Sequence, residues 1–264
     1  MALSILIFDS GVGGLTIFDE VKKQLPNAHY NYLFDNQLFP YGELKDQQLI
    51  DRVNSLITHA ARQFNADIII IACNSASTLA LPVLRKNMSI PIVGVVPAIK
   101  PAALMTRNGV IGLLATPGTV MRSYTAGLIN EFAGDKTILP IGSSELVQMA
   151  EDKMAGMPVD LKCLAKILWN WSGSINKPDV IVLGCTHFPI IKQEIAEVLN
   201  YPVRFIDSGK AIGARVQQLA LQKVTSEQLD KKNRIHCTRL TSVSNQLITS
   251  FEKYNFFGVK QFNL

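Results

Sequence analysis

Residues 67–77 read DIIIIACNSAS and residues 179–189 read DVIVLGCTHFP. In both, an Asp is followed by four β-prone apolar residues, one small residue, a Cys and a short polar residue. Each copy predicts a buried parallel strand, because the apolar runs Ile68 to Ile71 and Val180 to Leu183 are continuous rather than alternating. Side chains at the carboxyl ends of such strands face the ligand crevice of an open α/β sheet. Cys73 and Cys185 therefore hold matching places in two related units. The expectation is an α/β fold of two pseudosymmetric lobes, each a largely parallel sheet flanked by helices, with an active site in the cleft between them.

Outward from the repeat, LSILIFD from Leu3 predicts a strand that runs through SGVGG into a helix carrying Leu15, Phe18, Val21 and Leu25. The glycines permit a tight turn whose amides could bind an anion. SGVGG matches neither dinucleotide nor phosphate-loop patterns. YNYLFD supplies a strand ending at Asp35, before a turn at Pro40-Tyr41-Gly42. Glu43 to Phe64 has helical spacing, and His59 near its stripe reads as structural. After IPIVGVV, the prolines Pro97 and Pro101 mark a crossover to the second lobe. That lobe begins with GVIGLLA and TPGT, with a helix expected after Thr119. It continues through TILPI, a helix capped by Ser and holding Glu151, and a helix whose Trp169 and Trp171 read as packing residues. PVRFIDSG echoes IFDSG and suggests return to the first lobe. The expected boundaries are 1–97 plus 207–264 for the first lobe and 98–206 for the second.

The chain has 264 residues, 48% of them hydrophobic and 18% charged, enough for a sizeable core and unlike a disordered chain. A formal charge of +5 with scattered Lys and Arg argues against a nucleic-acid face while still attracting a small anion. No long apolar run or signal-like amino terminus is present, so no membrane association and a cytoplasmic location are expected. The four cysteines form no C-x-x-C pair, which favours reduced thiols over a disulfide framework, a zinc knuckle or a redox dithiol. Cys163 and Cys237 have no address in the repeat and read as inert.

Two facing thiols can remove a proton from a carbon beside a carboxylate and return it on the opposite face, with no cofactor. Each thiol needs help to ionise. Asp9 is placed to handle the proton of Cys73, and His187 that of Cys185. Ser10, Asn74, Ser75, Thr119 and Thr186 are placed as donors to the developing negative charge.

At these residues the chain resembles the glutamate racemases, of the cofactor-independent aspartate/glutamate racemase superfamily. The resemblance rests on DSGVGG from Asp9, Asp35-Asn36 followed by PYG, ACNSAS, the T-x-x-T of Thr116 and Thr119, and GCTHFP. It implies interconversion of L- and D-glutamate for peptidoglycan, with no cofactor and often as a homodimer. Carried over by position, it implies that Cys73 is the base for D-glutamate and Cys185 the base for L-glutamate, with Asp9 and His187 as their helpers. Asp35 and Glu151 match two further assisting acids. Ser10, Pro40, Tyr41, Gly42, Asn74, Ser75, Thr119 and Thr186 match the substrate-binding pattern. Ser75 replaces a common Thr, and SSELVQMAED departs from the usual pattern, leaving Glu145 as an alternative to Glu151. Some members carry an amino-terminal extension associated with activation by a peptidoglycan precursor; a chain beginning almost at its first strand is expected to lack that regulation. The other readings are a racemase for aspartate or another acid, and a non-catalytic amino-acid sensor.

Overall fold

The computed structural model describes residues 3–223, 233–241 and 246–264. Two sheets carry the fold. In the first, β1 (Ser4–Asp9), β2 (His29–Phe34), β3 (Ile68–Ile71) and β4 (Ile92–Gly94) lie in the order β2-β1-β3-β4. β9 (Arg234–Cys237) and β10 (Val259–Gln261) extend it beyond β2. In the second, β5 (Val110–Ala115), β6 (Thr137–Gly142), β7 (Val180–Leu183) and β8 (Arg204–Ile206) lie in the order β6-β5-β7-β8. Every pairing is parallel. The same four-strand unit thus occurs twice, with its first strand in the middle and the next two on opposite sides. Such a reversal opens a crevice at the carboxyl ends of the central strands.

Register sharpens the correspondence. Phe8 pairs with Ile71 in the first unit and Leu114 with Leu183 in the second. Counting on from those pairs, Cys73 and Cys185 occupy equivalent places, as do Ser10 and Thr116. Asp9, however, corresponds to Ala115, and His187 to Ser75. The backbone is repeated while its chemistry is divided.

The isoleucines of β3 are fully buried, as the unbroken apolar run requires. At about 1.5–3 kcal/mol for each large apolar side chain buried, this strand is a main source of cohesion. One face is covered by α2 (Asp46–Gln63), which buries Leu49, Val53, Leu56, Ile57 and Ala60, together with α3 (Asn74–Asn87). The other is covered by α1 (Leu15–Gln24) and α10 (Gly209–Leu221), which pack on each other. Around the second sheet lie α4 (Ile99–Met105), α5 (Pro117–Met121), α6 (Ser123–Ala133), α7 (Glu145–Met154), α8 (Leu161–Ser172) and α9 (Lys192–Leu199). α11 (Ile248–Lys253) returns to the first sheet, where Phe251 joins the core.

Two local expectations change and a third is narrowed to one residue. Thr119 lies inside α5, not ahead of a helix, because Thr116 caps that helix by accepting from the Thr119 amide and Pro117 occupies its first turn. The expected Ser at the start of α7 is Ser143, which accepts the Leu146 amide, while Ser144 makes no side-chain cap. Trp171 is buried, but Trp169, two positions along α8, is 68% exposed. A helix turns that step to a different face, so both indoles cannot reach one core.

No helix among the described residues is long and apolar enough to cross a membrane.

Candidate active site

Each thiol sits two residues beyond the end of its strand. Cys73 is the residue before α3, so the free amides of that helix's first turn surround it, and the Ala76 amide bonds to its sulfur. Ser10 Oγ lies 3.7 Å from Cys73 Sγ and 3.3 Å from Asp9 Oδ1. Cys185 Sγ lies 3.6 Å from His187 Nδ1, and His187 Nε2 lies 2.7 Å from Glu151 Oε1. Two chains of polar groups therefore lead away from the sulfurs, Cys73–Ser10–Asp9 and Cys185–His187–Glu151. All but the partly buried Glu151 are buried.

The chains are interlocked. Thr186 Oγ1 donates to Asp9 Oδ2 at 2.9 Å, and the Val12 amide donates to Glu151 Oε1 at 2.7 Å. The anion at the glycine turn is thus the protein's own Glu151. Gly11 and Gly13 permit this approach: a Cβ would stand 2.1 Å from Glu151 Oε1 at Gly11, and 2.5 Å from His187 Nδ1 at Gly13. The SGVGG sequence serves as a seat for side chains arriving from the second sheet.

Electrostatics give each group a direction. Burial, with the Asp9 charge and the second thiol adding to it, pushes Cys73 up to about 12 despite the Ala76 and Ser10 hydrogen bonds. Burial also raises Asp9, although His187, the Gly11 amide and Thr186 oppose it. A carboxyl group that holds its proton more tightly is a better proton acceptor for a thiol. Burial alone would lower His187, but its contacts with Cys185 and Glu151 outweigh that and hold it well above the usual imidazole value.

Asp35 is arranged differently. It receives Arg52 Nε and Nη2 at 2.8 Å each, and the hydroxyls of Tyr41 and Thr238 at 2.6 Å each. Burial would raise its pKa, but Arg52, Thr238 and Tyr41 hold it below the usual carboxylate range. These partners make Asp35 the anchor of the Pro40-Tyr41-Gly42 turn, where the Phe39–Pro40 bond is cis. Gly42 packs so closely on the second sheet's loop that a Cβ would stand 2.6 Å from Thr116 Cβ.

Where the two units touch, Ser75 Oγ lies 3.0 Å from Thr116 Oγ1 and 3.3 Å from Thr119 Oγ1, and the two threonine hydroxyls are 3.0 Å apart. These hydroxyls form a buried triangle drawn from both sheets. Asn74 is buried beside it in the first turn of α3. Glu145 points elsewhere and accepts from Cys163 on α8, while Cys237 is buried in β9. His59 is exposed and bonds the Ser55 carbonyl within its own helix. Sequence reasoning did not assign a site role to Arg52, Thr238 or Arg122; each reaches its partners only through tertiary contact.

Two parallel α/β units, each placing a cysteine at an equivalent strand tip with its own chain of polar groups behind it, make up the site. The chain belongs to the Asp/Glu/hydantoin racemase family, whose model matches residues 14–216. Among its relatives it is 48% identical over 256 residues to the glutamate racemase of Sodalis glossinidius, covering 96% of this chain and 88% of that protein. It is 46% identical to the glutamate racemase of Klebsiella pneumoniae, covering 96% and 89%. The crystal structure of the Escherichia coli glutamate racemase in complex with L-glutamate and the activator UDP-MurNAc-Ala superposes with a TM-score of 0.95 at 42% identity, covering 99% of this chain and 98% of that one.

Proposed function

We propose that the chain interconverts L- and D-glutamate by direct proton transfer between Cys73, Cys185 and the substrate α-carbon, without a cofactor. The observation that carries this reading is the placement of the two thiols at equivalent strand tips, each backed by its own polar chain. Glutamate is favoured as the substrate by the relatives at 44–48% identity.

Starting from L-glutamate, the Cys185 thiolate takes the α-proton. An S–H bond forms, the C–H bond breaks, and the electron pair left on carbon spreads into the carboxylate. Cys73 then gives its proton to the opposite face and is left as thiolate. The reverse reaction exchanges these roles. With Cys73 pushed up to about 12, its proton is retained at neutral pH until Asp9, through Ser10, receives it. The substrate's ammonium group supplies the cation that a buried thiolate otherwise lacks. His187, whose pKa is raised by its contacts with Cys185 and Glu151, offers the same support to Cys185. Asn74, Ser75, Thr119 and Thr186, with the Pro40-Tyr41-Gly42 turn, are the groups proposed to hold the substrate, and Asp35 assists by fixing that turn.

Residues 1–97 with 207–264 are proposed as one lobe and 98–206 as the other. Sheet membership supports this division, although residues 224–232 and 242–245 lie outside the described residues. Two working thiols suit a reducing cytoplasm, where the D-glutamate formed would enter peptidoglycan synthesis.

The test is incubation of the purified protein with L-glutamate in deuterated buffer, without added cofactor. Loss of the α-proton together with appearance of D-glutamate is expected. Activity on aspartate in place of glutamate would overturn the substrate, and binding without exchange would overturn catalysis.

A further inference from the structure

Arg122 stands where α5 gives way to α6, with φ −73° and ψ 142°, and neither Gly nor Pro marks the break. The extended residue at the junction sends its side chain onto α3 of the first unit, where it is only 8% exposed. Nη1 donates to the Ser75 carbonyl at 2.9 Å and to Thr78 Oγ1 at 3.1 Å, both on α3 of the first unit. Nη2 reaches Asp46 at 3.4 Å, but that carboxylate is itself largely in solvent, and Arg122 Nε is buried without a partner among the described residues.

Arg52 meets Asp35 through two hydrogen bonds at 2.8 Å and its charge is fully matched. Arg122 is more deeply buried and less well matched. A buried cation whose single counter-ion makes one long contact and lies largely in solvent is costly unless something else uses the charge. Its own segment supplies Thr116 and Thr119, and its acceptor Ser75 is the third member of the hydroxyl triangle. Thr125 Oγ1 also fixes the Thr119 carbonyl at 2.6 Å. A Cβ at Gly118 would stand 2.8 Å from the Gly42 carbonyl and 3.3 Å from Arg122 Nη2, so the turn, the α5 loop and the guanidinium are in mutual contact.

We propose that Arg122 is a positioning and specificity-determining residue of the glutamate reaction. From the second unit it ties down the first turn of α3, sets the Ser75–Thr116–Thr119 triangle, and supplies incompletely neutralised positive charge that favours a dicarboxylate. This rests on the glutamate reading above. Burial lowers the Arg122 pKa while Asp46 and Cys73 oppose that shift, consistent with a guanidinium short of anions.

The experiment compares Arg122→Met, Arg122→Lys and Thr78→Val with the unaltered protein. KM and kcat are measured for both glutamate enantiomers, with glutamine as a competing neutral analogue and the melting temperature alongside. Arg122→Met is expected to raise KM at least tenfold for both enantiomers and change kcat less than threefold. Its preference for glutamate over glutamine should fall at least fivefold. Arg122→Lys should recover part of that preference, since it restores the charge but not the fork, and Thr78→Val should raise KM about threefold. If Arg122→Met does not fold, the Lys and Val variants decide alone. KM and preference within twofold of the unaltered protein would overturn the proposal, as would a loss confined to kcat. Failure of the unaltered protein to racemise glutamate would instead overturn the functional reading on which the proposal stands.

Discussion

Glu151 Oε1 lies 2.7 Å from His187 Nε2 and 2.7 Å from the Val12 amide, so one carboxylate oxygen joins the imidazole behind Cys185 to the glycine turn ahead of α1. Glu151→Gln removes the charge that helps to raise His187. Catalytic efficiency is expected to fall about 10- to 100-fold, in keeping with the loss of one supported proton-transfer group. Because the His187 pKa is elevated in the intact protein, the alkaline limb of the pH–rate profile should move to lower pH. An unmoved limb would show that Glu151 does not govern the imidazole.

Cys73→Ser and Cys185→Ser test the two proposed transfers separately. Each should reduce racemisation by at least about 1000-fold, the upper part of the range for losing an acid/base group. Cys73→Ser should still exchange the α-proton of L-glutamate in deuterated buffer, and Cys185→Ser that of D-glutamate. Proton NMR reads both. Exchange of the same enantiomer by both variants would refute the assignment of faces.

The free Cys73 thiol is pushed up to about 12. In a Cys163→Ser, Cys185→Ser, Cys237→Ser background, its alkylation by iodoacetamide should be far slower at pH 8 than that of a free thiol of pKa ~8.5. Its rate should still be climbing about tenfold per pH unit at pH 9.5. A plateau near pH 8.5 would mean that burial and Asp9 do not hold the proton on sulfur.

Glycine substitutions test the close approach. Gly11→Ala and Gly13→Ala place a methyl group on Glu151 and His187, and each should cost more than 100-fold in activity through misplacement of the groups proposed to support Cys185. Gly127→Ala is the control: it lies in α6 with no atom near the new methyl. A stabilisation of about 0.5–1 kcal/mol is expected there, as for any exposed helical glycine. Denaturant unfolding and steady-state assays distinguish the cases.

Asp35 links the fold to pH. Its pKa is lower in the folded protein than in the unfolded chain, so its contribution is present above the unfolded value of ~3.9 and is lost as pH falls through the folded value. Arg52→Met leaves a buried carboxylate without its main counter-charge and should cost about 3–5 kcal/mol at neutral pH. Urea unfolding at pH 7 and pH 3 measures both effects. Equal losses at the two pH values would contradict the linkage.

The duplicated strand was legible because β3 and β7 need continuous apolar runs, and only the thiol at each tip interrupts the pattern usefully. Strand order was not legible: that both units share one arrangement follows from helix packing over long separations. Asp35 and Asp9 look alike in sequence, each ending a strand, yet Arg52 arrives from α2 to claim one while the other remains beside Ser10 and Cys73. Glu151 resembles a solvated helical acid until α7 is docked on the glycine turn. Arg122 offered no signal, since only a break between two helices points it onto α3.

The unlike groups behind the two sulfurs meet a restriction from outside the protein. Enantiomers have equal free energy in water, so the equilibrium constant is one and kcat/KM must be identical for the two directions at every pH. In the proposed roles, Asp9 and His187 can therefore never favour one hand in net flux per free enzyme; they can only shift which enantiomer saturates the site first and which leaves it faster. Any preference between hands must appear as matched changes in kcat and KM, with their ratio fixed by a mirror relationship that the protein does not share.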